Sequence, residues 1–405
     1  MEQNAQRELR LADPEWTVSE SMARIAKALA SDGPALAFGQ TLLTHVPARV
    51  SVVVATTGSS GTSKAVGLSA SALLASARAS NTALGALVGN SWSLLLPLTH
   101  IAGINVLVRA LELGTDPIDL RNHQGEYPRA DFTAIVPTQL FKALNGDTQL
   151  LAHLIDAKAV LVGGAALTTD LHLQAEKAGI NIVVTYGMTE TSGGCVYNGV
   201  PLDGVEISIT SERRIAIKGT VLAHTYLGAE TLWDTQFKDG WFHASDFGRI
   251  ENGKLVVEGR SDDVIISGGE NISLSAIESS LHAHFPHKSF AAFAVNDSQW
   301  GQALHVAMAG DGFPTDADVT QYLAEQFGEF SKPKGFLHLP ELPLIGIGKV
   351  DRKKLTELFM EAPNYDLDSR STPTYTASSC CAGCSGNSPC WKRVEATSSS
   401  PCSYC

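Results

Sequence analysis

Residues 49–66, "RVSVVVATTGSSGTSKAV", run from an apolar, β-branched segment into a loop of small and hydroxylic residues around one lysine. Gly58 and Gly61 allow the backbone to approach a ligand closely, and Lys64 adds a positive charge. Backbone N–H groups, hydroxyls and a cation together favour the binding of phosphate oxygens. The common P-loop pattern needs Gly directly before its Lys, whereas Ser63 stands there. The stretch therefore predicts either a phosphate loop of another kind or a flexible surface turn.

The sequence around this loop alternates between strand-like and helix-like segments. Residues 49–58 are typical of a buried strand, and the Ala- and Leu-rich residues 64–84 favour a helix, so we expect the loop to end at a helix N-terminus. The alternation continues with strands near 91–98, 132–137, 157–164 and 180–187 and helices near 104–114, 138–144 and 168–179. This pattern predicts an α/β fold with a largely parallel sheet covered by helices.

The pattern changes twice further along the chain. After about residue 195 it indicates short hairpin strands, and from residue 275 it indicates a small α+β domain. After about residue 362 the apolar periodicity stops. We therefore expect a large domain over 1–260, a small domain over 261–362, and a disordered Ser- and Cys-rich tail over 363–405.

Composition excludes several functional classes. The 405 residues are 44% hydrophobic and 18% charged, which suits a globular chain of two or three domains. The net charge of −12 argues against a nucleic-acid or anionic-lipid partner. No secretory signal is visible, and no apolar run reaches the roughly 18 residues of a membrane span. Only Cys195 of the seven cysteines precedes the tail, which is typical of a reducing compartment. We expect a soluble, cytoplasmic protein.

Four blocks of sequence occur in a fixed order: "TTGSSGTSKAV" (56–66), "TYGMTET" (185–191), "DGWFHASDFGRIENGKLVVEGRSDDVIISGGENISLSAIE" (239–278) and "GKVDRKKL" (348–355). Together they resemble the adenylate-forming family, which includes acyl-CoA synthetases, luciferases and the adenylation domains of peptide synthetases. The resemblance implies a large AMP-binding domain of parallel sheets and helices, followed by a small mobile α+β domain. It also implies a reaction in two steps: ATP activates a carboxylate as an acyl-adenylate with release of pyrophosphate, and a thiol, usually CoA, then displaces AMP.

The resemblance also implies an ATP site. Residues 57–64 match the loop that holds the β- and γ-phosphates, Tyr186 matches the aromatic residue that packs on adenine, and Asp246 and Arg260 match the pair that binds the ribose. The full matching set is Thr57, Ser59, Ser60, Gly61, Thr62, Lys64, Gly164, Ala165, Tyr186, Gly187, Thr189, Asp246 and Arg260. As simpler alternatives, Tyr186 could be a core residue, Asp246 a turn cap and Arg260 a member of a surface ion pair.

Four residues have implied catalytic roles, and two of them, Glu190 and Lys349, lie outside that ATP-binding set. Attack at the α-phosphorus places charge on phosphate oxygens, which cations and fixed donors must stabilise. Lys64, Thr189 and the mobile Lys349 match such groups, and Glu190 matches the carboxylate that binds Mg²⁺. Glu190 could instead interact with a helix dipole, and Lys349 could be a solvated charge in a basic run.

The acid-binding and thiol-binding residues are implied less directly. The compact chain with "LPLTHIAGINVLVRAL" (96–111) resembles the short o-succinylbenzoate–CoA ligases of actinobacterial type, from menaquinone biosynthesis. On this resemblance the acyl pocket contains His100, Thr191, Ser192 and Gly193, although His100 could equally be a core histidine. Small residues after Glu190 leave space for a bulky aromatic acid, and Arg109 is a weaker candidate partner for a second carboxylate. Asp262 matches the hinge, and Gly268 and Gly269 match the loop that faces CoA.

Departures from the family pattern keep other functions open. Ser63 and Ala65 replace the Pro and Gly that usually flank the loop lysine, and Ala244 and Ser245 replace the Thr-Gly before the ribose aspartate. The implied partners are a small-molecule acid, ATP with Mg²⁺, and CoA, and a homo-oligomer stays open. The alternatives are another acyl- or aryl-CoA synthetase, a stand-alone adenylation enzyme that loads a carrier protein, and an inactive nucleotide-binding homologue.

The C-terminal cysteines permit two interpretations. Cys381-x-x-Cys384 and Cys402-x-x-Cys405 have the spacing of a four-cysteine zinc site. The intervening residues are rich in Ser and Pro, and Cys380 and Cys390 allow many chance pairings. A disordered tail is the favoured interpretation, with zinc binding as the alternative.

Overall fold

The computed structural model describes residues 5–57, 63–260, 263–267, 269–286, 288–297, 300–310, 312–345, 349–361, 375–378 and 390–393. The chain divides into two compact units, Met1–Glu258 and Gly259–Cys405. None of the helices within the described ranges is long and apolar enough to cross a membrane.

The large unit combines strands with helices of seven to fourteen residues. Its strands are β1 (Gln6–Leu11), β2 (Ala35–Phe38), β3 (His45–Pro47), β4 (Val50–Thr57), β5 (Ser63–Ser69), β6 (Trp92–Leu94), β7 (Ile118–Asp119), β8 (Phe132–Ile135), β9 (Ala159–Val162), β10 (Ile182–Met188), β11 (Gly193–Tyr197), β12 (Val200–Pro201), β13 (Val205–Ile209), β14 (Arg214–Gly219), β15 (Thr225–Leu227), β16 (Phe237–Lys238), β17 (Trp241–Glu251) and β18 (Lys254–Arg260). Its helices are α1 (Val18–Leu29), α2 (Ala70–Ala83), α3 (Ile101–Leu113), α4 (Pro137–Leu144), α5 (Thr148–Asp156), α6 (Thr169–Lys177) and α7 (Glu230–Gln236), with a 3₁₀ turn at Thr189–Thr191.

The first sheet has the strand order β15-β5-β4-β2-β1-β3. Strands β1, β2 and β4 are parallel, whereas β3, β5 and β15 run antiparallel to their neighbours. The apolar run of β4 lies in the interior of this sheet, where Val50, Val52, Val53 and Val54 are all buried. A strand covered on both faces requires such a continuous apolar sequence, which explains the β-branched run.

The segment after the predicted phosphate loop is a strand, so the prediction of a helix over residues 64–84 is wrong in its first part. Strand β5 pairs antiparallel with β4 through Thr56–Lys64 and Thr57–Ser63, and with β15 on its other side. The helix begins only at Ala70, where the Ser69 hydroxyl caps it by accepting a hydrogen bond from the Ala72 N–H at 3.1 Å. Pairing with strands on both sides outweighs the helix propensity of the Ala-rich sequence.

The second sheet has the order β12-β11-β10-β9-β8-β6-β7. Strands β7, β6, β8, β9 and β10 are parallel, and β11 and β12 complete the sheet in antiparallel orientation. Helices α4, α5 and α6 place Leu140, Leu154 and Leu171 in one core with sheet residues such as Val160 and Ile182. The predicted strand–helix alternation is therefore confirmed here, but the large unit is mixed α/β rather than largely parallel.

A third sheet follows, with the order β13-β14-β17-β16 and with β18 paired to β17. Strands β13 and β14 form an antiparallel pair in register from Val205–Gly219 to Ile209–Ile215. The hairpin strands that the sequence predicts after residue 195 are thus present.

The small unit consists of a central sheet with helices on both faces. Its strands are β19 (Val264–Ser267), β20 (Glu270–Ser273), β21 (Ser289–Asp297), β22 (Gly301–Ala309), β23 (Gly335–Leu339), β24 (Leu344–Ile345) and β25 (Lys349–Val350), and its helices are α8 (Leu274–His284), α9 (Asp316–Phe327) and α10 (Arg352–Glu361), with a 3₁₀ turn at Glu329–Ser331. Along β21, Phe290 and Ala292 face the core with α8 and α9, whereas Ala291 and Phe293 face the core with α10. This period of two places the sheet between the helices.

Within residues 363–405 the structure describes only β26 (Tyr375–Ser378) and β27 (Cys390–Arg393), which pair antiparallel with Ser378 opposite Cys390. Both halves of the zinc candidate, Cys381 with Cys384 and Cys402 with Cys405, lie outside the described residues. The interpretation of the tail stays a prediction.

Candidate active site

The "TYGMTET" block covers the last residues of β10 and the turn after it, at the side of the second sheet where the parallel strands have their carboxyl ends. Clefts that bind ligands in α/β proteins form at the carboxyl ends of parallel strands. Strand β10 carries Tyr186 and Gly187, and the 3₁₀ turn that follows carries Thr189 and Glu190. A Cβ at Gly187 would overlap the Gly193 carbonyl of the neighbouring strand β11, so only glycine fits there. The block therefore forms a tight strand-to-turn connection that holds four predicted site residues together.

Tyr186 and Asp246 are sixty residues apart in sequence and meet in the structure. The Tyr186 hydroxyl donates a hydrogen bond to Asp246 Oδ2 at 2.8 Å. Asp246 lies on β17 and is only 5% exposed, whereas Tyr186 is half-buried. The contact joins two residues that the sequence assigns separately to adenine and ribose.

Glu190 is held at both its main chain and its side chain. Its carbonyl accepts a hydrogen bond from the Ala223 N–H at 2.7 Å. Its carboxylate Oε1 accepts one from the Tyr226 hydroxyl, also at 2.7 Å. Within the described residues Oε2 has no hydrogen-bond partner. One carboxylate oxygen with an unused lone pair suits Mg²⁺, which binds one or two carboxylates together with substrate phosphates and waters.

Lys64 reaches the same place from the first sheet. Its Nζ lies 5.1 Å from the centroid of the Tyr226 ring, within the range of a cation–π contact. The side chain is half-buried on β5, directly after the predicted phosphate loop. Of that loop, Thr57 ends β4, while Ser59, Ser60, Gly61 and Thr62 lie outside the described residues. Lys64 and Glu190 thus both contact Tyr226.

The turn after Glu190 is buried, and its hydroxyls bond to the main chain. The Thr191 hydroxyl lies 2.7 Å from the Gly193 carbonyl, and the Ser192 hydroxyl donates to the Val221 carbonyl at 2.7 Å. The Ser192 carbonyl accepts from Asn105 Nδ2 at 2.6 Å and from the Ser76 hydroxyl at 2.9 Å. Thr191 and Ser192 are both 0% exposed. Their predicted contribution to the acyl pocket would therefore come through the backbone path they fix, not through direct contacts of their hydroxyls.

Helix α3 carries the other acyl-pocket candidates. His100 is its N-cap residue and is half-buried. Arg109, near the other end, is only 3% exposed; it donates to the Tyr197 hydroxyl at 3.3 Å and lies 5.0 Å from the centroid of the Trp92 ring. Its Nε has no partner, and no carboxylate pairs with it among the described residues. A buried guanidinium without a counter-ion is costly, which makes Arg109 a candidate anion ligand.

Gly164 and Ala165 are exposed in the connection between β9 and α6. Gly164 has φ +84°, a conformation that favours glycine. A Cβ at the preceding Gly163 would overlap the Thr185 hydroxyl of β10, so this connection lies tightly against that strand.

The small unit, which begins at Gly259 within β18, carries the remaining candidates. Lys349 is exposed on β25, which pairs with β24 through Ile345–Lys349. Arg260 is exposed at the end of β18, and Gly269 is exposed with φ +90°. Asp262 and Gly268, the predicted hinge and CoA-facing residues, lie outside the described residues. These assignments stay predictions.

Sequence reasoning missed Tyr226 and Asn105. Tyr226 belongs to β15, in a segment without a motif, and its contacts with Lys64 and Glu190 arise only from strand pairing. Asn105 is one more polar residue in an apolar helix, and its spacing alone does not distinguish it. Cys195 is fully buried behind the site, and burial raises the pKa of its thiol to about 12. Because that thiol stays protonated at neutral pH, it is not a nucleophile.

Comparison with known proteins agrees with the family resemblance of the sequence motifs. Residues 7–226 match the model of the AMP-binding enzyme family. The chain is 39% identical over 328 residues to a protein of Mycobacterium tuberculosis described as a probable 2-succinylbenzoate–CoA ligase, with 76% of this chain and 85% of that one covered.

Two solved structures are similar in fold. One is an arginine-to-lysine variant of Escherichia coli MenE with bound OSB-AMS: TM-score 0.64, 28% identity, 79% of this chain and 71% of that one covered. The other is the o-succinylbenzoate coenzyme A synthetase of Bacillus subtilis in complex with ATP and a magnesium ion: TM-score 0.66, 21% identity, 85% and 83% covered. The predicted motifs, the fold and these matches agree, and the chain belongs to the AMP-binding enzyme family.

Proposed function

We propose that this chain is an ATP-dependent acid–CoA ligase that converts o-succinylbenzoate into o-succinylbenzoyl-CoA in menaquinone biosynthesis. The acid first forms an acyl-adenylate with release of pyrophosphate, and CoA then displaces AMP. The observation that carries the proposal is the assembly of Lys64, Glu190, Tyr186 and Asp246 around the end of β10, in a chain 39% identical to a probable ligase for this acid.

In this proposal the nucleotide binds across the ends of the first and second sheets. Tyr186 packs on adenine, Asp246 binds the ribose with Arg260, and Lys64 with residues 57–62 binds the β- and γ-phosphates. Thr189 donates to the α-phosphate. The Tyr186–Asp246 hydrogen bond supports the roles proposed for these two residues, because it fixes the phenol ring and one carboxylate oxygen before the nucleotide binds. Groups fixed in advance stabilise developing charge without reorganising during the reaction.

Glu190 is the proposed ligand of Mg²⁺, and its carboxylate suits that ion through the oxygen that Tyr226 does not occupy. When bound, Mg²⁺ would offset the negative charge of the phosphates. Glu190 would be the single protein carboxylate on this ion, as is usual where substrate phosphates supply other ligands.

The acid is proposed to bind beside α3 and the turn 191–193, with its reacting carboxylate toward the α-phosphate. o-Succinylbenzoate carries a second carboxylate, and the buried Arg109 is a cation without a carboxylate partner in the described part of the chain. An arginine in a low-dielectric pocket binds a carboxylate strongly. Arg109 therefore supports a dicarboxylic acid over a simple benzoate or fatty acid.

The small unit is proposed to carry the second half of the cycle. Lys349 would reach the α-phosphate and the acid during adenylation. Rotation at Asp262 would then bring Gly268 and Gly269 toward the thiol of CoA.

The test is pyrophosphate release from ATP and Mg²⁺ over a panel of o-succinylbenzoate, benzoate and fatty acids, with and without CoA. We expect a strong response to o-succinylbenzoate and formation of its CoA thioester. A response to another acid would retain the chemistry and reject the pathway. Pyrophosphate release without thioester formation would instead indicate a carrier-loading enzyme, and ATP binding without any release would indicate an inactive homologue.

A further inference from the structure

Tyr226 is the buried residue that touches both the lysine and the carboxylate of the proposed adenylation site. It is 1% exposed in the middle of β15, which pairs with β5 through Tyr226–Val66 and Leu227–Ala65. Its ring meets Trp233 edge-on, with centroids 5.2 Å apart and planes at 88°. Strand pairing and aromatic packing therefore fix the position of both the ring and the hydroxyl.

The hydroxyl has a defined direction. It lies 2.7 Å from Glu190 Oε1 and 2.9 Å from the amide oxygen Oε1 of Gln236. A phenol has one proton, so it can donate to only one of them. Glu190 cannot donate when ionised, whereas an amide can turn its NH₂ toward the phenol oxygen. The chemically consistent arrangement is that Gln236 donates to Tyr226 and Tyr226 donates to Glu190.

This arrangement leaves one oxygen of Glu190 for another ligand. A hydrogen bond to a carboxylate is stronger than one between neutral groups, and it restricts rotation of the carboxylate plane. Residues that orient a metal-binding carboxylate in this way affect metal affinity although they do not touch the metal.

The ring has a separate role. Lys64 Nζ lies 5.1 Å from its centroid, so the electron-rich face attracts the ammonium group. Because β5 and β15 are neighbouring strands, the ring and the lysine backbone belong to one rigid pair.

We propose that Tyr226 is a positioning residue for adenylation, whose hydroxyl orients Glu190 toward the divalent cation and whose ring holds Lys64 in place for the phosphates. This inference rests on the proposed function, and it makes the hydroxyl and the ring separable by mutation. The hydroxyl acts on metal affinity, and the ring acts on nucleotide affinity without metal.

The test uses Mn²⁺ as a spectroscopic probe in place of Mg²⁺, titrated by electron paramagnetic resonance into the full chain with a non-hydrolysable ATP analogue. Tyr226→Phe removes the hydroxyl and keeps the ring. We expect the Mn²⁺ dissociation constant to rise roughly tenfold, while affinity for the analogue in EDTA stays unchanged. Tyr226→Leu also removes the ring, and for this variant we expect the affinity for the analogue in EDTA to fall roughly threefold.

The Phe variant leaves the Gln236 amide without its partner, which could reduce stability. The double variant Tyr226→Phe/Gln236→Leu removes both groups and should show the same rise in the Mn²⁺ dissociation constant. Tyr322→Phe is the matched control, because its hydroxyl bonds to Ser280 at 2.8 Å in the small unit. It should leave both affinities unchanged.

Glu190→Gln separates this inference from the proposed function. If Glu190→Gln weakens Mn²⁺ binding and Tyr226→Phe does not, the positioning role is overturned and the proposed metal ligand stands. If neither variant weakens it, both the metal role of Glu190 and the positioning role of Tyr226 are wrong. Tighter Mn²⁺ binding by Tyr226→Phe would show that the phenol competes with the metal, which also overturns the inference.

Discussion

At the scale of single residues, three charged groups of the candidate site are buried or half-buried and already contact a tyrosine. Asp246 accepts from Tyr186, Glu190 accepts from Tyr226, and Arg109 touches Tyr197 and Trp92. A charge in such surroundings is weakly screened, so each interaction with an ionic substrate is stronger than it would be in water. The identities of the charged residues are readable from the sequence. Their contacts with Tyr186, Tyr197 and Tyr226 are not readable, because each tyrosine lies on a strand far away in the sequence.

Lys349 should separate the two half-reactions. It is exposed on β25, and its proposed task is limited to the charge that develops during adenylation. We expect Lys349→Ala to slow pyrophosphate release by roughly a hundredfold or more, the typical cost of losing one such stabilising group. Thioester formation from preformed acyl-adenylate should change far less.

The neighbouring exposed Lys353 is the matched control for Lys349, and Lys353→Ala should leave both half-reactions unchanged. Equal slowing of both half-reactions by Lys349→Ala would contradict a lysine that moves away between them.

Arg109 should distinguish a dicarboxylic from a monocarboxylic acid. Arg109→Gln keeps much of the side-chain volume and removes the charge. We expect KM for o-succinylbenzoate to rise roughly tenfold to a hundredfold, as for a lost charge-assisted hydrogen bond, and KM for benzoate to stay nearly constant. Steady-state kinetics with the two acids checks this.

Arg78→Gln serves as the control for Arg109, because the Arg78 side chain is 65% exposed and pairs with Glu112 on the surface. Equal losses for both acids in Arg109→Gln would mean that the arginine supports packing and does not recognise the second carboxylate.

At the scale of elements, the pairing between neighbouring strands determines the backbone geometry around the candidate site. The sequence indicates strand β4 clearly, because a central strand needs a continuous apolar run. It does not indicate β5, since Ala, Lys and Leu favour a helix locally and only the pairing with β4 and β15 makes residues 63–69 extended. Gly187 is predictable as a site glycine, but its reason, the close approach of the Gly193 carbonyl, requires the structure.

The start of helix α10 is held in the small unit by one arginine. Arg352 donates to both oxygens of Glu278 at 2.9 Å, to Asp263 at 3.2 Å and to the Ala292 carbonyl at 2.9 Å. Its removal leaves two largely buried carboxylates without their cation. We expect Arg352→Met to lower the free energy of unfolding of the small unit by about 3 kcal/mol.

Urea unfolding monitored by amide hydrogen exchange in β21 and β22 measures the effect of Arg352→Met. Lys354→Met is the control, because the Lys354–Glu357 pair is exposed and contributes little. Similar effects of the two substitutions would show that the Arg352 contacts do not anchor the helix.

At the scale of the whole molecule, the candidate site residues are divided between two compact units. The large unit holds the residues proposed for acid and most of those proposed for nucleotide, and the small unit holds Arg260 and Lys349. The order of the four motifs predicts the family and the succession of a large and a small domain. The mixed direction of the sheets is not predictable, because the apolar run of a buried strand is the same in parallel and antiparallel neighbours.

Acid should destabilise the small unit through His305. Burial lowers the pKa of this histidine from 6.5 to about 4. Between these values the unfolded chain binds a proton that the folded unit does not, so the free energy of unfolding falls as the pH falls. The full loss is up to roughly 3 kcal/mol.

His305→Leu removes this titration while keeping an apolar side chain. We expect the stability of the variant to fall less than that of the wild type between pH 7 and pH 4, as measured by urea unfolding at each pH. Parallel pH profiles for the two proteins would contradict the assignment to His305.

The hairpin that carries Lys64 has a practical consequence for engineering. Its ladder reaches Thr57–Ser63, and both strands have further neighbours, so the two ends of segment 58–62 are held together by pairing outside that segment. We therefore expect folding to depend little on which residues occupy those five positions. A library randomised there, with Lys64 retained, should consist mostly of proteins that melt cooperatively at the wild-type temperature yet differ widely in turnover. Selection from such a library would explore catalysis without first discarding variants that fail to fold.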